Sequence, residues 1–215
     1  IASSRPMFDG AGAILATTAF GWTDLPEDSW WCRPRLALES PLTAACRYES
    51  EPFWGNADGF RSVAGNPALG KIDVTDFERR ALCRAAIVVP VHMPFGRIGA
   101  ASLVPRDSEM TDLAQPFAEH AEAIAQLCRS FITSHARVMD DPARLPMGAA
   151  LSWREVECLR WAALGKTNQE IAMIISRSIA TIRFHIHNAT TKLDAVSRSQ
   201  AVFKAAQLGY ISLPR

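Results

Sequence analysis

The chain has 215 residues, enough for one large or two ordinary domains, and 48% of them are hydrophobic, which excludes a disordered polar tail. The formal net charge of +1 hides an asymmetry: residues 151–215 hold nine of the 23 Lys and Arg but only four of the 22 Asp and Glu, so a local +5 is set against −4 elsewhere. No apolar run reaches the roughly 20 residues of a membrane-spanning helix, the first ten residues show no secretory signal pattern, and the five Cys form neither a CxxC pair nor a disulfide framework. A reducing cytoplasm is expected, with all five Cys as small buried hydrophobes, and because the chain opens on Ile1 some natural N-terminal residues are expected to be missing.

In chain order, Ala11 to Trp22 is apolar and fits either a helix passing into a turn or a buried strand. Pro26, Pro34 and Pro41 then forbid long regular elements in a stretch that crowds Trp22, Trp30 and Trp31 together, which implies an aromatic wall. Leu42 to Glu49 fits a short helix or strand ahead of Pro52-Phe53-Trp54, and Thr75 to Ala85 fits a helix carrying Arg79, Arg80 and Arg84. Residues 85–94 and 96–105 are β-rich runs joined through Pro94-Phe95-Gly96 as a hairpin, with Gly96 and Gly99 serving it. From Thr111 or Asp112 a long helix should run to about Ala136, with Leu113, Phe117, Ala121, Ile124, Leu127, Cys128 and Phe131 as its inward stripe. Residues 139–150, with two Pro, one Gly and no amphipathic period, read as a linker. The order of elements suggests an α+β fold.

Beyond the linker, helix starts can be placed one by one. Ser152 with Glu155, Thr167 with Glu170 and Ser197 with Gln200 have capping-box spacing, and Ser178 opens one helix more, so four short helices fill residues 151–213. The helix from about Asn168 to Ile175 should bury Ile171, Ile174 and Ile175; the next, Ile179 to Leu193, should bury Ile182, Ile186, Ala189 and Leu193. Arg183, Phe184, His187, Thr190 and Thr191 are left facing outward, a face that fits the major groove of DNA, while His185 reads as a packing residue. Lys166, Thr167 and Lys192, near helix ends, suit phosphate positioning rather than base reading.

The run GKTNQEIA, followed by Thr181-Ile182, His185, Asn188 and Lys192-Leu193, resembles the DNA-binding domain of LuxR-type transcriptional regulators. Glu155, Leu159, Trp161, Gly165 and Lys166 also sit at that family's spacings; Arg177 departs from it, standing where an aliphatic residue is usual, so either the turn is more open or Arg177 is turned toward a phosphate. The resemblance implies a DNA-contact set that adds Asn168, Arg177, Ser178 and Thr181 to the residues above. It implies a homodimer on a palindromic operator, paired through Val202, Ala205 and Ala206 of the last helix.

Residues 1–138 resemble, in part, the signal-binding domain of quorum-sensing LuxR-type proteins, an α/β/α sandwich around an antiparallel sheet that encloses an acyl-homoserine lactone. On that resemblance Trp54, after Pro52-Phe53, takes the role of a pocket tryptophan, Trp31 stands for a tyrosine, Ser102 lines the cavity, and Ser40 replaces the aspartate of an Asp-Pro pair. Glu27, or Trp30 if the alignment slips, stands for a second tryptophan, and Ala86 for a glycine. Domains are therefore expected at 1–138 and 151–215, with 139–150 between them. The function implied is transcription regulation in response to a small molecule other than a typical acyl-homoserine lactone, or without ligand. An acyl-homoserine-lactone-responsive regulator and a protein-interaction module with weak DNA binding are the alternatives. Partners implied are duplex DNA, a second copy of the chain, a small-molecule signal and RNA polymerase, with no membrane, cofactor or metal. Asp24 with Asp28 and His120 with Glu119 carry no motif that would make them catalytic, so no enzyme is expected.

Overall fold

The computed structural model describes residues 7–21, 34–139 and 150–212, and it divides into two compact units. The expected linker falls almost wholly outside the described residues, as do Trp22, Trp30, Trp31, Glu27, Asp24 and Asp28.

The first unit begins with α1 (Leu15–Thr18), behind an isolated bridge between Phe8 and Ile14, then α2 (Pro34–Glu39) and α3 (Pro41–Ala45). A hairpin follows, β1 (Phe53–Asn56) and β2 (Gly59–Ser62), turned by Asn56, whose Oδ1 accepts from the Asp58 amide at 2.8 Å, and by Gly59 at φ 115°. The sequence reading missed this hairpin, although Asn-Ala-Asp-Gly is a turn signal. After the short α4 (Phe77–Ala81) come β3 (Ala85–Met93) and β4 (Arg97–Leu103), and the sheet order is β2-β1-β3-β4. β1 is antiparallel to both neighbours, pairing Phe53 with Ser62 and with Val88. The three-residue link from β3 to β4 is too short for a crossover, so that pair is a hairpin as expected.

Helices cover both faces of the sheet. On one, α3 and α4 bury Leu42, Ala45, Phe77 and Ala81 against Phe53, Ala86 and Val88; on the other, α5 (Ala114–Met139) buries Phe117, Ala121, Ala125 and Ile132 against Trp54, Ile87, Val89 and Val91. This is the α/β/α sandwich the resemblance implied, and β3, covered on both sides, is buried from Ala85 through Val91. Gly99 does more than serve a turn: a Cβ there would lie 2.8 Å from Ile132 Cγ2, so glycine lets β4 approach α5.

The inward stripe on α5 is corrected at two places. Leu127 and Phe131 are exposed, by 72% and 41%, because the buried line runs Phe117, Ala121, Ala125 and then Ile132, and both residues lie on the same flank of that line. Phe131 instead meets Phe20 edge-on, with ring centroids 5.4 Å apart. The helix expected from Thr75 to Ala85 shrinks to five residues, since Asp76 and Leu82 at its two ends take left-handed backbone.

The second unit holds α6 (Trp153–Ala163), α7 (Asn168–Ile174), α8 (Ile179–Lys192) and α9 (Arg198–Gln207). All four expected caps are made: Ser152 Oγ accepts from the Glu155 amide, Thr167 Oγ1 from Glu170, Ser178 Oγ from Thr181 and Ser197 Oγ from Gln200. The ends obey an equally local rule. Gly165, Ser176, Asp194 and Gly209 each adopt positive φ one residue beyond the C-cap, and the next amide (Lys166, Arg177, Ala195, Tyr210) reaches back to Trp161, Ala172, Thr190 or Ala205. The two non-glycine stops are less apparent in sequence, because left-handed backbone costs an ordinary side chain about 1 kcal/mol.

Leu159, Ile171, Ile182, Ile186, Ala189, Leu193, Ala201 and Ala205 form the core of this unit. Two expectations fall here. Ile174 is 42% exposed, since α7 turns only Ile171 and Ala172 fully inward. Ala205 is fully buried within its own unit and is no pairing residue, while Val202 and Ala206 are half-buried beside the same core.

Candidate nucleic-acid interface

α8 is held from three directions, which fixes what it can present. At its C-terminal end Lys192 Nζ donates to Glu155 Oε2 at 2.9 Å, and the same oxygen accepts from the Ser152 amide at 2.7 Å. Burial alone would raise the Glu155 carboxyl, but these hydrogen bonds outweigh it and hold its pKa below the ordinary 4.5. Lys204 of α9 donates to the Leu193 carbonyl at 3.0 Å and to that of Asp194, covering the C-terminal dipole of α8. Arg198 donates to Asn168 Oδ1 at 2.7 Å and to the Lys166 carbonyl, tying the start of α9 to the start of α7. Neither Arg198 nor Lys204 was singled out from sequence; a basic residue in a first helical turn, against the dipole, was the available signal for Arg198.

With Ile182, Ile186 and Ala189 turned inward, α8 exposes Ile179, Ala180, Arg183, Phe184, His187, Thr191 and Lys192. Arg183 has no carboxylate partner among the described residues, and neither has Arg177, exposed in the α7–α8 turn beside a shallow open depression lined by Gln169, Met173, Ser178 and Ile179. The turn closes normally around Arg177, whose amide reaches the Ala172 carbonyl at 2.9 Å while its side chain faces solvent. His185 is half-buried against the Phe184 ring, with centroids 5.6 Å apart.

Other members of the expected contact set are engaged within the unit. Thr167 is locked in its capping box, donating from both its amide and Oγ1 to Glu170 Oε2, and Lys166 Nζ lies 3.6 Å from Glu170 Oε1. Asn168 accepts from Arg198; Ser178 and Thr181 hydroxyls are bonded to each other at 2.8 Å; Thr190 is half-buried and donates to the Ile186 carbonyl at 2.7 Å. The structure thus gathers Arg177, Arg183, Phe184 and His187 as outward groups and gives the rest structural bonds.

Residues 149–205 match the model of the luxR family of bacterial regulatory proteins. The second unit is a LuxR-family helix-turn-helix domain. Among curated relatives, the transcriptional activator protein VanR of Vibrio anguillarum is 38% identical over 129 residues, covering 60% of this chain and 52% of VanR. The transcriptional activator protein AhyR of Aeromonas hydrophila is 28% identical over 194 residues, 86% of this chain and 70% of AhyR. The chain thus spans about half of VanR's length. The crystal structure of Escherichia coli SdiA is 23% identical, covers 89% of this chain and 76% of its own, and superposes with a TM-score of 0.47.

The residues expected to bind a ligand are distributed less simply. Phe53 and Trp54 are neighbours on β1 and so point to opposite faces: Phe53 toward α3, Trp54 toward α5, where the Arg61 guanidinium lies 5.9 Å over its ring. Ser40, at the N-terminus of α3, belongs to the Phe53 side. Ser102 shares that side, because Ala101 beside it on β4 packs toward α5. Trp54 therefore does not join Ser40 and Ser102 on one wall. Ser40 is fully buried, makes no capping bond, and its Oγ has no hydrogen-bond partner among the described residues. Glu39 beside it points outward and accepts from Arg35 Nε at 2.6 Å.

The described Cys are free; burial pushes Cys46 and Cys83 up to about 12, so neither is a thiolate near neutrality. Among the described residues no group of three or more His, Cys, Asp or Glu is placed to hold a metal ion, and no helix is long and apolar enough to cross a membrane.

Because the Glu155 carboxyl is depressed in the folded state, its contribution to stability is complete above about pH 4.5 and is lost as pH falls through the lower folded value. Glu155→Gln should leave Lys192 without its counter-ion and destabilise the helix-turn-helix unit by about 1–3 kcal/mol at neutral pH. The gap from the parent should close in acid, as read by denaturant melts across pH.

Proposed function

We propose that this chain is a transcription regulator of the LuxR type that binds duplex DNA through the outward face of α8. The observation that carries the reading is the exposure of Arg183, Phe184 and His187 on a helix whose opposite face and C-terminal end are locked into the luxR-family unit. A rigid helix with an unpaired arginine in its first half is what base reading in a major groove requires. Arg177 supplies phosphate contact from the turn; Thr167 holds the reader in place, and Lys166 and Lys192 do the same while offering their remaining ammonium donors to the backbone. The relatives VanR and AhyR are named as transcriptional activators, which favours this assignment over a protein-interaction module. In this reading the chain acts without catalysis, in the cytoplasm, as a homodimer on a palindromic operator, with RNA polymerase as its downstream partner. The dimer is supported by α5, which leaves Leu127, Phe131 and Val138 exposed at spacings of four and seven along one side.

The first unit, in this proposal, senses a small molecule. Ser40 Oγ is a buried polar atom without a partner among the described residues, and a ligand polar group would relieve that cost. A serine offers only a neutral hydrogen bond where a carboxylate offers a charge-assisted one, and Glu39, engaged outward by Arg35, does not substitute. The signal is therefore something other than a typical acyl-homoserine lactone.

Replacing Arg183 by Ala should cost about 1–3 kcal/mol on duplexes selected by the chain from a randomised library, with a much smaller change on scrambled duplexes. Fluorescence anisotropy measures both, and equal losses on the two would remove Arg183 from base reading. In calorimetry, a series of acyl-homoserine lactones of increasing chain length should show no submicromolar binding; any such binding would overturn the ligand assignment.

A further inference from the structure

The first turn of α8 is unusual for a groove-reading surface in being mostly hydrocarbon. Ile179 is 40% exposed, Phe184 in the next turn 60%, and Ala180, one turn before Phe184, is exposed as well. The hydroxyls available in that turn, Ser178 and Thr181, are bonded to one another at 2.8 Å, and Ser178 Oγ also accepts from the Thr181 amide at 3.1 Å. At 3.6 residues per turn, Ile179 and Arg183 lie along one row and Ala180, Phe184 and His187 along the next. Arg183 is therefore flanked by apolar side chains, with Ile179 one turn before it and Phe184 beside it.

The hydrocarbon group that base edges offer in the major groove is the C5-methyl of thymine. We propose that Ile179 and Phe184 are specificity-determining residues that read thymine methyl groups on either side of the base contacted by Arg183. The proposal rests on the assignment of α8 as the groove-reading helix and deepens it: hydrogen bonding selects one base, and hydrocarbon contact selects thymine at its neighbours. Ile179 borders the open depression next to Arg177, so a methyl reaching it has a recess to enter.

The test uses the full chain and duplexes that it enriches from a randomised library. Each thymine is replaced singly by deoxyuridine, which removes the methyl and leaves the pairing edge unchanged. Binding should fall about fourfold at one or two positions in each half-site, the worth of one buried methyl. Ile179→Ala should abolish the deoxyuridine effect at one position and Phe184→Ala at another, and both variants, altered at exposed positions, should keep the parent's circular dichroism. Equal affinity for thymine and deoxyuridine at every position would overturn the proposal while leaving DNA reading by α8 intact. Failure of the library to enrich any duplex would overturn the assignment of α8 itself.

Discussion

A single buried carboxylate sets the geometry on which the outward face of α8 depends. Glu155 is 2% exposed, and an ion taken that far from water is tolerated only when its oxygens are answered. The Ser152 amide and the Lys192 ammonium converge on one of them, so the start of α6 and the end of α8 are joined at one point. Removing either partner leaves a charge stranded in the core. The direction in which α8 presents Arg183 follows from that joint, together with the Lys204 contacts at the C-terminus of α8 and the Arg198 contacts at the start of α7.

The local basic excess consequently has a different meaning from the one its count suggests. Lys192, Arg198 and Lys204 spend their donors on a carboxylate, an amide oxygen and backbone carbonyls inside the unit, and Lys166 and Arg154 face Glu170 and Glu157. Arg177 and Arg183 are left outward without carboxylate partners among the described residues. Most of these cations hold the unit together, and few of them are left outward. The outward face of α8 thus pairs one arginine with hydrocarbon on both sides of it.

The second unit was legible in the sequence because its rules are local. A Ser or Thr three residues before Glu or Gln fixes a helix start without reference to anything distant, and the three starts so placed, with the fourth at Ser178, stand where they were expected. Burial on α8 was equally readable, since Ile182, Ile186, Ala189 and Leu193 keep one strict period. Errors came where a distant partner decides which flank of a stripe is inward. Leu127 and Phe131 are apolar and nearly in phase, yet Ala125 and Ile132 are the residues that meet the sheet. Ala205 looked like a pairing residue until α6 and α8 claimed it. Ser40 and Trp54 looked like one wall of a pocket, but the alternation of side chains along β1 turns Trp54 to the face away from α3.

Two phenylalanines in the same unit offer a direct test of whether α8 meets DNA through its exposed face. Phe184 on α8 and Phe203 on α9 are almost equally exposed, at 60% and 61%. A photo-crosslinking phenylalanine analogue placed at one position or the other of the full chain, irradiated with an enriched duplex, reports which of them lies against DNA. Crosslinking from position 184 and none from position 203 is the result expected. Crosslinking from position 203 with none from position 184 would contradict the assignment of α8 as the reading helix.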